Sequence, residues 1–121
     1  PPPPPPPGGT FTNDADVAIP DRGTATSTID VPLTGPAPVN LQVGVDIAHT
    51  YRGDLVVELV APDGSVYTLK TSNGRDSADN VIGTFTVDAS SESRNGTWTL
   101  RVRDVFSLDT GTIRSWSLTF P

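Results

Sequence analysis

Apolar and polar residues alternate with a period of two along most of this chain. Val39, Leu41, Val43, Val45 and Ile47 are separated by Asn40, Gln42, Gly44 and Asp46, the signature of a half-buried strand. Leu55, Val57 and Leu59 continue the alternation in a second strand. Ala61-Pro62-Asp63-Gly64 follows as a turn, with proline second and glycine fourth, and Val66 to Leu69 returns as its hairpin partner. Val81, Gly83, Phe85 and Val87 form another alternating run, as do Trp98, Leu100 and Val102. Ala25 to Val31 is threonine-rich and reads as an outer strand ended by Pro32. The last strand carries Trp116, Leu118 and Phe120, but Ile113 is out of phase with them. If all four face the core, one extra residue must be absorbed near Arg114-Ser115, and a β-bulge does that. No convincing helix is found. The pattern predicts an all-β fold, a jelly-roll-like sandwich of about eight antiparallel strands in two sheets.

The N-terminus departs from this pattern. Pro1 to Pro7 are consecutive prolines, followed by Gly8 and Gly9. Seven residues of polyproline II would span roughly 22 Å. Residues 1–9 are assigned to a linker and 10–121 to one domain, which reads as a piece of a longer protein with any export signal upstream.

Composition agrees. Glu occurs only as Glu58 and Glu92, Lys only as Lys70, and Met is absent, so strong helix formers are scarce. The net charge of −6 disfavours nucleic acid and anionic membranes as partners. No apolar run approaches the roughly 20 residues that cross a bilayer. With no cysteine, disulfides, thiolate zinc sites and cysteine catalysis are excluded.

Two segments carry a resemblance. The first runs His49-Thr50-Tyr51-Arg52-Gly53-Asp54-Leu55, then the apolar strand to Val60, then Pro62-Asp63-Gly64. The second is Gly96-Thr97-Trp98-Thr99-Leu100-Arg101-Val102-Arg103-Asp104, then Asp109-Thr110-Gly111 and Trp116-Ser117-Leu118. With Ala18-Ile19-Pro20-Asp21 near the start, the chain resembles the P-domain of subtilisin-like proprotein convertases and other secreted proteases. One departure is the short Thr86–Asn95 segment, where many members of that family carry a longer insertion. The resemblance implies a secreted, non-catalytic domain C-terminal to a protease catalytic domain, serine-type or metallopeptidase, whose folding and stability it supports. The competing reading is a module that binds a protein or carbohydrate polymer. As an isolated domain the chain is expected to be monomeric.

Few residues could carry chemistry. His49 is the only histidine, and no nucleophile elbow accompanies it, so it is expected in a loop between strands, making hydrogen bonds there. Asp104 keeps the inward parity of Trp98, Leu100 and Val102. A buried carboxylate needs compensation, and three partners are open: backbone N–H groups of the next turn, an arginine, or a metal ion. Asp109 could close a loop around the same point, and calcium accepts such hard oxygen ligands. Asn13, Asp14 and Asp16 form a second acidic cluster with Asp-x-Asp spacing. The metal candidates are therefore Asp104, Asp109, Asp14 and Asp16, with Asp46 and Asp54, which flank the His49 loop, as a third option and calcium as the cofactor. Arg52-Gly53-Asp54 spells an adhesion tripeptide, although the family pattern already accounts for Gly53-Asp54. Tyr51, Tyr67 and Phe106 are aromatics in or near loops, expected at the core or its edge.

Overall fold

The computed structural model describes residues 9–107 and 109–121. The proline run and Gly8, assigned to the linker, lie outside the described residues. Most strands form where the alternation predicts them. The strands are β1 (Gly9–Asn13), β2 (Val17–Ile19), β3 (Thr24–Val31), β4 (Leu41–His49), β5 (Leu55–Val60), β6 (Val66–Lys70), β7 (Val81–Val87), β8 (Gly96–Asp104) and β9 (Gly111–Phe120). All pairing among them is antiparallel. One sheet has the order β1-β9-β4-β7 with β2 also alongside β9, and the other is β3-β8-β5-β6. Among the described residues one 3-10 turn, Arg52–Asp54, is found, and it precedes β5.

The two inward faces build the core. Leu41, Val43, Val45, Ile47, Trp116, Leu118 and Phe120 come from one sheet, and Leu55, Val57, Leu59, Trp98, Leu100 and Val102 from the other. Trp98 meets the Phe120 ring edge-on at 6.0 Å. Both indoles find acceptors, as buried N–H groups must: Trp98 Nε1 donates to the Arg94 carbonyl (3.0 Å) and Trp116 Nε1 to Ser27 Oγ (2.9 Å).

The bulge expected in the last strand is present. β4 and β9 pair Asp46 with Ser115 and Ile47 with Ile113, leaving Arg114 as the extra residue. Ile113 and Trp116 are both buried as a result, and Arg114 is exposed. The other neighbour of β9 breaks at the same height. β1 pairs down to Trp116 and β2 resumes at Ile113, so the loop Asp14-Ala15-Asp16 sits opposite the bulge. Neither β1 nor β2 was foreseen, and β1 begins at Gly9, inside the segment that composition gave to the linker.

Val39 corrects the alternation reading. It is 63% exposed, and β4 begins two residues later. Pro36 and Pro38 have no N–H to continue a ladder. Their segment turns away instead to the loop after β7, with Ala37 N–H bonded to the Glu92 carbonyl and Ala89 N–H to that of Pro38.

Candidate functional site

The site lies at one end of the sandwich and bridges its two sheets. His49 is the last residue of β4, Asp54 closes the 3-10 turn before β5, and Asp104 is the last residue of β8, opposite Leu55. Each is buried, with exposures of 2%, 4% and 2%. Each offers one ligand-type atom, and these three atoms lie within 4.8 Å of one another.

Local backbone geometry holds them there. Gly111 pairs with His49, and any side chain at 111 would strike the Ala48 carbonyl at 2.1 Å. Gly53 lies under the loop between β6 and β7, where a Cβ would meet the Asn73 carbonyl at 2.0 Å. That loop is stitched to the 3-10 turn by Arg52 N–H to the Ala78 carbonyl, Gly53 N–H to that of Asp76, and the Arg52–Asp76 ion pair (2.8 Å). Asn80 fixes the strand end: its Oδ1 accepts from His49 N–H at 3.0 Å and its own N–H donates to the His49 carbonyl. Asp104 N–H binds the Gly23 carbonyl, and Val105 N–H that of Asp54.

The side-chain bonds define the protonation of the imidazole. Tyr51 N–H donates to His49 Nδ1 at 3.0 Å. A ring nitrogen that accepts cannot also carry the proton, so the proton is on Nε2, which lies 3.0 Å from Asp104 Oδ2. His49 is therefore a neutral ring donating to Asp104, and neither ring nitrogen is left for a nucleophile. Asp104 Oδ1 also accepts from Phe106 N–H at 3.2 Å. Of the partners foreseen for Asp104, the backbone turn is realised. The histidine was not among them, and His49 lies at a strand end rather than in a loop.

Asp54 is the unbalanced member. Its Oδ2 is buried with no hydrogen-bond partner among the described residues. Burial, followed by the nearby charges of Asp104 and Asp109, pushes its carboxyl above the usual carboxylate range. The adhesion-type tripeptide is not displayed, because Gly53 and Asp54 are both buried.

The other acidic candidates stand apart. Asp109 lies outside the group of atoms within 4.8 Å, and its Oδ1 accepts from Thr50 Oγ1 at 2.7 Å. Asp14 and Asp16 are exposed, in a loop organised by Asn13, whose Oδ1 accepts from Ala15 N–H and whose Nδ2 donates to the Thr28 carbonyl. Among the described residues, His49, Asp54 and Asp104 form the one such metal-type group.

Comparison with known proteins finds relatives of this chain. The proprotein convertase P-domain model matches residues 38–120. A transglutaminase-activating metalloprotease of Streptomyces mobaraensis is 56% identical over 114 residues, covering 93% of this chain and 15% of that protein. A calcium-dependent protease of Nostoc is 33% identical over 117 residues, covering 89% of this chain and 18% of that protein. The crystal structure of a serine protease of Aeromonas sobria shares the fold, with a TM-score of 0.65 at 23% identity over 97% of this chain and 27% of that one. The chain thus spans about a quarter or less of each of these proteins.

Proposed function

The chain belongs to the proprotein convertase P-domain family, and on that premise we propose that it is a non-catalytic accessory domain of a secreted protease, supporting the folding and stability of the catalytic domain to which it is attached. One observation carries the non-catalytic part. The only histidine of the chain has both ring nitrogens engaged, by Tyr51 N–H and Asp104, and the His49 and Asp104 side chains have 0% exposure. A histidine acting as general acid or base needs a ring nitrogen within reach of substrate, and His49 offers none. The 56% identity to a segment of a metalloprotease supports a metallopeptidase as the attached enzyme, and the match to the proprotein convertase P-domain supports a serine peptidase.

Calcium belongs to this reading. A relative at 33% identity is named a calcium-dependent protease, and the buried group with an unpartnered Asp54 oxygen is a place where a cation would fit. A second reading, a module that tethers the enzyme to a protein or carbohydrate polymer, is favoured by the seven consecutive prolines, because a stiff spacer holds domains apart.

Expressing the attached protease with and without residues 10–121 separates these readings. Lower yield of folded enzyme without the domain supports the accessory role. Normal yield and normal cleavage of small peptides, with reduced action on an insoluble substrate, supports tethering and overturns the first reading.

A further inference from the structure

We infer that the cation site of this domain is made of oxygens alone, from Asp54 and Asp104, and that His49 serves it as the proton donor that positions Asp104 rather than as a ligand, so that the site takes a hard ion such as calcium in preference to zinc. This rests on the calcium reading above and goes further by naming the ligands and excluding the histidine.

The exclusion follows from the hydrogen bonds of the ring. A metal on Nε2 needs that nitrogen's lone pair, which requires the ring proton to move to Nδ1. Nδ1 already accepts from Tyr51 N–H at 3.0 Å, so a proton there would face the Tyr51 N–H head-on. Ligation would also break the bond from Nε2 to Asp104 Oδ2. Zinc prefers nitrogen and sulfur donors. The chain has no cysteine and no second histidine, so oxygens are what the site can offer.

Those oxygens are available. Asp54 Oδ2 is desolvated and unpartnered among the described residues, an arrangement that costs free energy unless something binds it. Each Asp104 oxygen has two acceptor positions, and the structure assigns Oδ1 to Phe106 N–H and Oδ2 to His49. Among the described residues, these bonds leave one acceptor position on each oxygen. Asp109 and Asp21 add negative potential at Asp54. A divalent cation would neutralise the two buried carboxylates, and calcium is the ion suited to an oxygen-only donor set.

Thermal melts of the full 121-residue chain in calcium, in an equal concentration of zinc and in EDTA test this. We expect calcium near 100 times its Kd to raise Tm by about 10 °C over EDTA, zinc to raise it less, and Asp54→Asn to abolish the calcium response. The double change Asp14→Asn, Asp16→Asn should leave the response intact. Ring nitrogen NMR should find His49 protonated at Nε2 and bare at Nδ1 with and without calcium, while the Asp54 carboxyl carbon shifts on calcium addition. The carboxyl shift reads the site in the unmodified chain, should Asp54→Asn fail to fold. An undiminished calcium response in Asp54→Asn, or no shift at Asp54, overturns the placement and leaves the calcium reading standing. No calcium response at all overturns both and leaves the accessory role untouched. A larger response to zinc, with Nε2 deprotonated, overturns the oxygen-only site.

Discussion

Tyr67 donates its hydroxyl to Glu92, a carboxylate only 7% exposed at the far end of the sandwich. That bond, ahead of burial, holds the phenol above its ordinary pKa. Removing the hydroxyl leaves a buried acceptor short of a donor, so Tyr67→Phe should cost about 1–3 kcal/mol in urea unfolding. Asp76 shows the opposite shift. The Arg52 side chain bonded to it holds its carboxyl below the usual range. A depressed carboxylate stabilises the fold above its unfolded pKa, and that contribution is lost as pH falls through the folded value. Asp76→Asn should therefore flatten the acid side of the stability profile, below the ordinary aspartate pKa of about 3.9, without changing its alkaline side. The pair is solvent-exposed, with side chains 43% and 27% accessible, so the effect is small.

The β9 bulge shows how much of an element is legible in sequence. Ile113 conflicts in parity with Trp116, Leu118 and Phe120, and one bulged residue, Arg114, resolves the conflict. Deleting Arg114 should put one of the two sets on the wrong face. The expected result is loss of the cooperative unfolding transition in circular dichroism; a variant that still unfolds cooperatively would mean that the register is set elsewhere. His49 is expected in a loop between strands, yet the same parity argument places it in the strand. It continues the inward parity of Leu41, Val43, Val45 and Ile47, and its burial follows from that phase. Its bond to Asp104 spans 55 residues of sequence and depends on two sheets meeting, which no local pattern encodes. Asp54 gave no periodic signal, because it sits in a 3-10 turn whose depth is set by the loop around Asn73 and Asp76. β1 and β2 escaped notice for a related reason. Thr10, Thr12 and Asn13 read as polar chain, and Asp14–Asp16 resembled an ion loop rather than a break matching a bulge.

Across the whole molecule, the chemistry-bearing residues are turned inward while the surface is acidic overall, with a net charge of −6. The buried network at one end ties β4 of one sheet to β5 and β8 of the other. An ion there would lock that end of the sandwich and so alter its stability without touching substrate. On the accessory reading proposed above, such a domain would lend its own stability to the enzyme attached to it. The most direct measurement is made on the attached protease with and without residues 10–121, counting active molecules by active-site titration. We predict that kcat/KM for a small soluble peptide, per titrated site, stays within about twofold, while the half-life of activity at elevated temperature shortens at least about tenfold without the domain, the size expected for losing about 1.4 kcal/mol at the inactivation step. A fall in kcat/KM of about 100-fold or more, the scale of a lost general acid or base, with an unchanged half-life, would contradict the account.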